Sequence, residues 1–120
     1  MPIKIEQPII IEAAGNKYKR IEEYVGIVNT KSTDVSIARV VIPPGWNDPG
    51  QKPEFTECRM VLSGVLQVES RSEVFFIHPG EVVRVNPNEW VKYSTPSEEG
   101  VEFISVCAPA FTQNSVHRDE

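Results

Sequence analysis

The chain has 120 residues, and 12 lysines and arginines stand against 17 aspartates and glutamates for a net charge of −5. That length suits one domain with a core of its own, without disulfide staples. The acidic balance, with no lysine or arginine cluster, excludes the basic footprint that nucleic acid requires.

From the start, residues 1–15 (MPIKIEQPIIIEAAG) hold one short apolar run hemmed in by prolines and glutamates. This is neither a signal peptide nor a membrane span, so a cytoplasmic protein with no membrane partner is expected. Ten prolines and seven glycines then punctuate the chain at short intervals. Between them lie Ile9–Ile11, Tyr18–Val25, Val35–Ile42, Phe55–Leu62, Val65–Glu69, Val74–Ile77, Val82–Val85, Trp90–Tyr93 and Val101–Cys107. These runs are β-branched, and several alternate with period two, as in Val35-Ser36-Ile37-Ala38-Arg39-Val40, so each reads as a short strand. The pattern predicts an all-β fold, an antiparallel sandwich or barrel in a single domain spanning 1–120. Glu22-Glu23 and Glu98-Glu99 read as solvated edge or loop charges. Cys58 and Cys107 lack CxxC spacing and sit in apolar runs, as buried free thiols of a reducing compartment do. Residues 112–120 read as a loose polar tail.

Two glycine-framed blocks sharpen this. The first runs Gly45-x5-Gln51-x-Pro53-x3-Glu57-x6-Gly64; fifteen residues later the second runs Gly80-x5-Asn86-x-Asn88-x2-Val91-x3-Thr95. These spacings resemble, without a gap, the two motifs of the cupin family of small β-barrels, over roughly residues 35–108. The resemblance implies an antiparallel jelly-roll barrel with a pocket at one mouth. It also implies where the family usually holds a metal: two histidines and a glutamate in the first block and a histidine in the second. Those places are Gln51, Pro53, Glu57 and Val91 here. Proline and valine carry no side-chain donor and a neutral amide is a poor one, whereas a divalent iron, manganese or zinc needs three or four donors. No metal and no other cofactor is therefore expected. His78 precedes a Pro-Gly turn and should be solvated. His117, in the tail, would add a third donor to Gln51 and Glu57 only if the tail folded over the mouth.

Strand alternation predicts what lines the pocket instead. If Glu57 points inward, so do Phe55, Arg59 and Val61, while Cys58, Met60 and Leu62 point outward. If Val91 points inward, so does Tyr93. The expected ligand-binding set is Gln51, Phe55, Glu57, Arg59, Val91 and Tyr93, with Pro53 beside them and Trp46 and Trp90 at the rim. An apolar cavity with a few convergent polar groups describes a small-molecule site. Arg59 offers a planar fork for a carboxylate or enolate. Glu57 and Tyr93 are the candidate catalytic pair. Burial would favour a neutral Glu57 and Arg59 would favour its carboxylate, and the same two side chains also read as a purely structural ion pair.

Two functions stay open at this point. One is a metal-free module binding a small organic molecule, of carboxylate or sugar type. The other is a cofactor-free isomerase, lyase or polyketide-cyclase-like enzyme using Glu57 and Tyr93. A metal-dependent dioxygenase comes third. The absence of a pocket histidine beside a carboxylate favours the binding module. The outward apolar face of Met60 and Leu62, with Pro8–Ile11, predicts a homodimer.

Overall fold

The computed structural model describes residues 2–12, 19–96 and 98–119. Among these residues there is no helix, and the strands are β1 (Ile9–Glu12), β2 (Arg20–Val25), β3 (Ser36–Ile42), β4 (Thr56–Gly64), β5 (Leu66–Glu69), β6 (Val74–Ile77), β7 (Val82–Val85), β8 (Lys92–Ser94) and β9 (Val101–Ala108). Each expected strand is present within a residue or two of its expected ends. Tyr18, the expected first residue of the second strand, lies outside the described residues.

The strands form two antiparallel sheets, one of six strands in the order β1-β2-β3-β9-β4-β7 and one of three in the order β6-β5-β8. Neighbours in the large sheet come from distant parts of the chain, as β4 beside β9 shows. That arrangement is the jelly roll. The β4–β5 connection turns on Gly64, whose φ of +77° is open to glycine and whose Cα lies against the Gly100 carbonyl. A side chain there would collide with backbone.

Register stacks the inward residues of the large sheet in rows. Ser36, Cys107, Glu57 and Val85 form one row, and Ala38, Ser105, Arg59 and Val83 the next. Val40, Phe103 and Val61 form a third, and Ile42 and Val101 a fourth. The interior thus passes from polar to apolar along the strands. The apolar rows meet Leu66, Val68, Ile77 and Tyr93 of the small sheet to make the main core. On the opposite face Met60 and Leu62 are exposed and Cys58 is half-buried, as the alternation predicts.

Three expectations are corrected. Glu22 and Glu23 are not solvated edge charges, since both are buried on β2. Glu22 accepts hydrogen bonds from Arg20 and Arg39 on the outer face, while Glu23 accepts the backbone N–H groups of Val28 and Asn29 at 3.1 and 2.9 Å. The described part of the tail is not loose. It runs back along residues 50–54, with hydrogen bonds from the backbone N–H of Lys52 to His117 O, of Glu54 to Ser115 O and of Asp119 to Gly50 O. Val116 is buried there beside Phe55, Cys107 and Phe111. Trp90 is not a free rim residue: its indole N–H donates to Asp119 at 2.9 Å, and both lie against the bare Cα of Gly50.

Candidate functional site

The polar rows open into a cavity of about 90 Å³. At roughly 10–15 Å³ per water, that is room for several waters, or a small organic molecule of a few heavy atoms. Its walls carry Gln51, Phe55, Glu57, Arg59, Phe103 and Ser105, with Lys19, Asp48 and Arg118 among the further polar groups.

Glu57 and Arg59 are two apart on β4 and therefore share its inward face. Both are buried, and Arg59 Nε donates to Glu57 Oε2 at 3.0 Å. Ser105 Oγ donates to the same oxygen at 2.9 Å, and Tyr93 O–H donates to Oε1 at 3.3 Å. The carboxylate is thus held by three donors from three strands. The guanidinium carbon of Arg59 stands 3.5 Å from the centroid of the Tyr93 ring and 4.7 Å from that of Phe103. Burial pushes Arg59 down, but Glu57, Tyr93 and Asp48 outweigh it and raise the guanidinium further above its ordinary value. It is a permanent cation. Among the described residues, its Nη1 is the one buried side-chain nitrogen or oxygen without a hydrogen-bond partner. A buried donor left unmatched is costly, and this nitrogen keeps an unused donor.

A second charged pair lies at the same cavity. Lys19 Nζ sits 3.2 Å from Asp48 Oδ1, and both side chains are only slightly exposed. The Trp46 indole N–H donates to Asp48 Oδ1 at 2.5 Å, and Lys19 Nζ is 5.5 Å from the Trp46 ring. Burial lowers Lys19 and the Arg59 charge lowers it further; Asp48 and Glu57 oppose without cancelling the effect. Burial would raise Asp48, but Lys19, Arg59 and the hydrogen bonds from Trp46 and Lys19 leave it below the usual carboxylate range. Burial, then Glu57, push Cys107 up to about 12 and Tyr93 well above its ordinary value, so both are neutral.

Of the residues expected at the pocket, Gln51, Phe55, Glu57 and Arg59 line the cavity. Trp46, Val91 and Tyr93 are buried but belong to the main core, and Tyr93 reaches the site through its hydrogen bond to Glu57 and its ring against the Arg59 guanidinium. Pro53 is also fully buried. Trp46 fixes Asp48 rather than standing at the rim. His78 is exposed beside Glu81. The tail does fold back, but His117 turns to exposed Glu54, and Arg118 is the tail residue that lines the cavity.

Sequence reasoning missed Lys19, Asp48, Ser105 and Arg118. Alternation along Val101–Cys107 puts Ser105 on the same face as Phe103 and Cys107, which was a usable signal. Lys19 lies in the expected run Tyr18–Val25, on the face of Ile21 and Glu23, an unused signal, whereas Asp48 and Arg118 lie outside the strands, where no periodicity applies.

The donor set does not fit the metal that the resemblance implies. Pro53 and Val91 supply no donor, and both Glu57 oxygens are already bonded to Arg59, Ser105 and Tyr93. Among the described residues no three histidine, cysteine, aspartate or glutamate side chains cluster as ligands. A dicationic metal would also sit beside the Arg59 cation.

The family model for the cupin domain matches residues 38–107. The polyketide cyclase RemF from Streptomyces resistomycificus has a similar structure, with a TM-score of 0.78, 13% identity, and coverage of 100% of this chain and 87% of that one. An RmlC-like cupin from Shewanella frigidimarina gives 0.72 at 14% identity over 87% and 86% of the chains, and KdgF from a Halomonas species 0.70 at 14% over 82% and 87%. In sequence, the chain is 40% identical over 101 residues to the endoribonuclease YbeY of Myxococcus xanthus, which covers 84% of this chain. The chain spans only about a third (34%) of that relative's length.

Proposed function

The chain belongs to the cupin family, and from that premise we propose that its barrel binds a small organic carboxylate, without a metal, on Arg59. The observation that carries this reading is the unpartnered Nη1 of a buried arginine lining a cavity. An arginine fork matches a carboxylate in shape and charge. Glu57, Ser105, Tyr93 and Phe103 then serve as the frame that aims the guanidinium, and Gln51 offers an amide to a second polar group of the ligand. The cavity volume supports an acid of a few heavy atoms over a sugar or a polycyclic molecule.

Titration calorimetry with propanoate, against propanamide as the neutral isostere, tests the reading. Arg59→Lys keeps a cation for Glu57 but loses the fork, so it should weaken propanoate binding by roughly ten- to a hundredfold. Equal binding of acid and amide, or an unaffected Arg59→Lys, overturns it.

A cofactor-free enzyme using Glu57 and Tyr93 is the second reading, supported by the 3.3 Å contact between them and by the structural likeness to a polyketide cyclase. Three donors already on the Glu57 carboxylate, and a Tyr93 packed in the main core, argue for a frame instead. The endoribonuclease named for the Myxococcus relative belongs to a protein of which the match covers only 34%, and the acidic balance of this chain gives no footprint for RNA. Two free thiols fit a cytoplasmic protein. The exposed Met60, Leu62 and Val82, adjacent across β4 and β7, suit a second copy of the chain. A monomer in sedimentation velocity would remove that partner.

A further inference from the structure

Lys19 has no part in holding the proposed carboxylate, yet it lines the same cavity as Arg59. We infer that Lys19 captures the carbonyl group of a 2-oxo carboxylate as an imine, with Asp48 moving its protons and Arg59 holding the acid end. The inference deepens the reading above, on which it rests, by naming the substrate class.

Three features of the site support it. First, Lys19 Nζ lies within 3.2 and 3.4 Å of the two Asp48 oxygens, so a proton acceptor is in place. Second, Asp48 is itself fixed by the Trp46 indole, which orients it toward the lysine. Third, the amine is nearly buried and stands in the field of a permanent cation, two conditions that favour a nucleophilic lysine and hold it below its ordinary value against the opposing charges of Asp48 and Glu57. An exposed structural salt bridge would have neither.

The chemistry balances with the groups present. Asp48 takes a proton from the Lys19 ammonium, and the freed nitrogen lone pair attacks the carbonyl carbon. A C–N bond forms as the C=O π pair moves onto oxygen. One proton then shifts from nitrogen to that oxygen, and Asp48 returns the other. The oxygen leaves as water while the nitrogen lone pair closes the C=N bond. The net change is ammonium plus ketone to protonated imine plus water, with no oxidant or reductant. The Arg59 fork keeps the carboxylate of the 2-oxo acid, and so its neighbouring carbonyl, inside the cavity.

The test is reductive trapping of the full chain with pyruvate and sodium cyanoborohydride, read by mass spectrometry of the intact protein and its peptides. One adduct is expected, on Lys19, at least about tenfold ahead of Lys4, Lys31, Lys52 and Lys92; it should vanish in Lys19→Arg and be suppressed by excess propanoate. Adducts spread over the exposed lysines, or none on Lys19 although propanoate binds through Arg59, overturn the imine and leave the carboxylate reading intact. Propanal, which has the carbonyl but no acid, separates the remaining case. Selective trapping of propanal on Lys19, with neither propanoate nor pyruvate bound, overturns the carboxylate reading and with it the 2-oxo acid as substrate.

Discussion

The two ends of the barrel interior share β4 and β9 and differ in what the inward positions of those strands, and the segments packed against them, carry. At the closed end Val61, Leu66, Val68, Val101 and Phe103 are at most a few per cent exposed and need nothing but shape. At the open end Glu57, Arg59, Ser105, Asp48 and Lys19 are almost as deeply buried, yet each needs partners. The closed end is held by non-directional burial that any apolar side chain of the right volume supplies. The open end is a network in which every member is costly to leave alone, and among the described residues Arg59 Nη1 is its one buried side-chain polar atom without a hydrogen-bond partner.

Breaking the open end at its ion pair should have the largest effect. Arg59→Met leaves the Glu57 carboxylate buried without its cation and should cost about 3–5 kcal/mol in urea unfolding. Adding Glu57→Gln should recover most of that loss. A single-variant cost below about 1 kcal/mol would mean that water reaches the carboxylate and that the two ends do not differ in kind.

The closed end sharpens the contrast. Leu66, fully buried, should cost about 2–4 kcal/mol on truncation to alanine through lost burial and the cavity left behind. Propanoate affinity should be unchanged. A variant that lost binding along with stability would show the two ends to be one coupled unit.

The smallest effect is the pH dependence of the Lys19–Asp48 pair. Asp48 is depressed in the folded chain, so its stabilisation is complete above the ordinary aspartate value of 3.8 and is lost as pH falls through the lower folded value. Asp48→Asn should flatten that acid limb. Lys19 is also lowered, which for a base means the unfolded chain binds its proton more tightly. Stability therefore rises as pH climbs from the lowered folded value toward 10.5, and Lys19→Met should abolish the rise. Melting curves across both limbs read the two signs, and an alkaline limb unchanged in Lys19→Met would place the amine in solvent.

What could be read from the residues alone follows the strand period. Nine β-branched runs, several of them alternating, became the nine strands of the described residues, and the same period put Glu57 and Arg59 inward with Met60 and Leu62 outward, because side chains on a strand have only two faces. The jelly-roll barrel came from the resemblance of the two glycine-framed blocks to the cupin motifs, and Gly64 among them admits no side chain. The period says nothing of loops, and there the structure decided. Lys19, Asp48 and Arg118 share a cavity across sequence separations of 29 and 70 residues, brought together by antiparallel pairing and by backbone hydrogen bonds from the tail to residues 50–54. Inwardness also proved different from access: Tyr93 and Val91 point in as expected, but the small sheet packs them into the main core. Alternation assigns a face, and only the packing of one sheet against another decides which part of that face is left open.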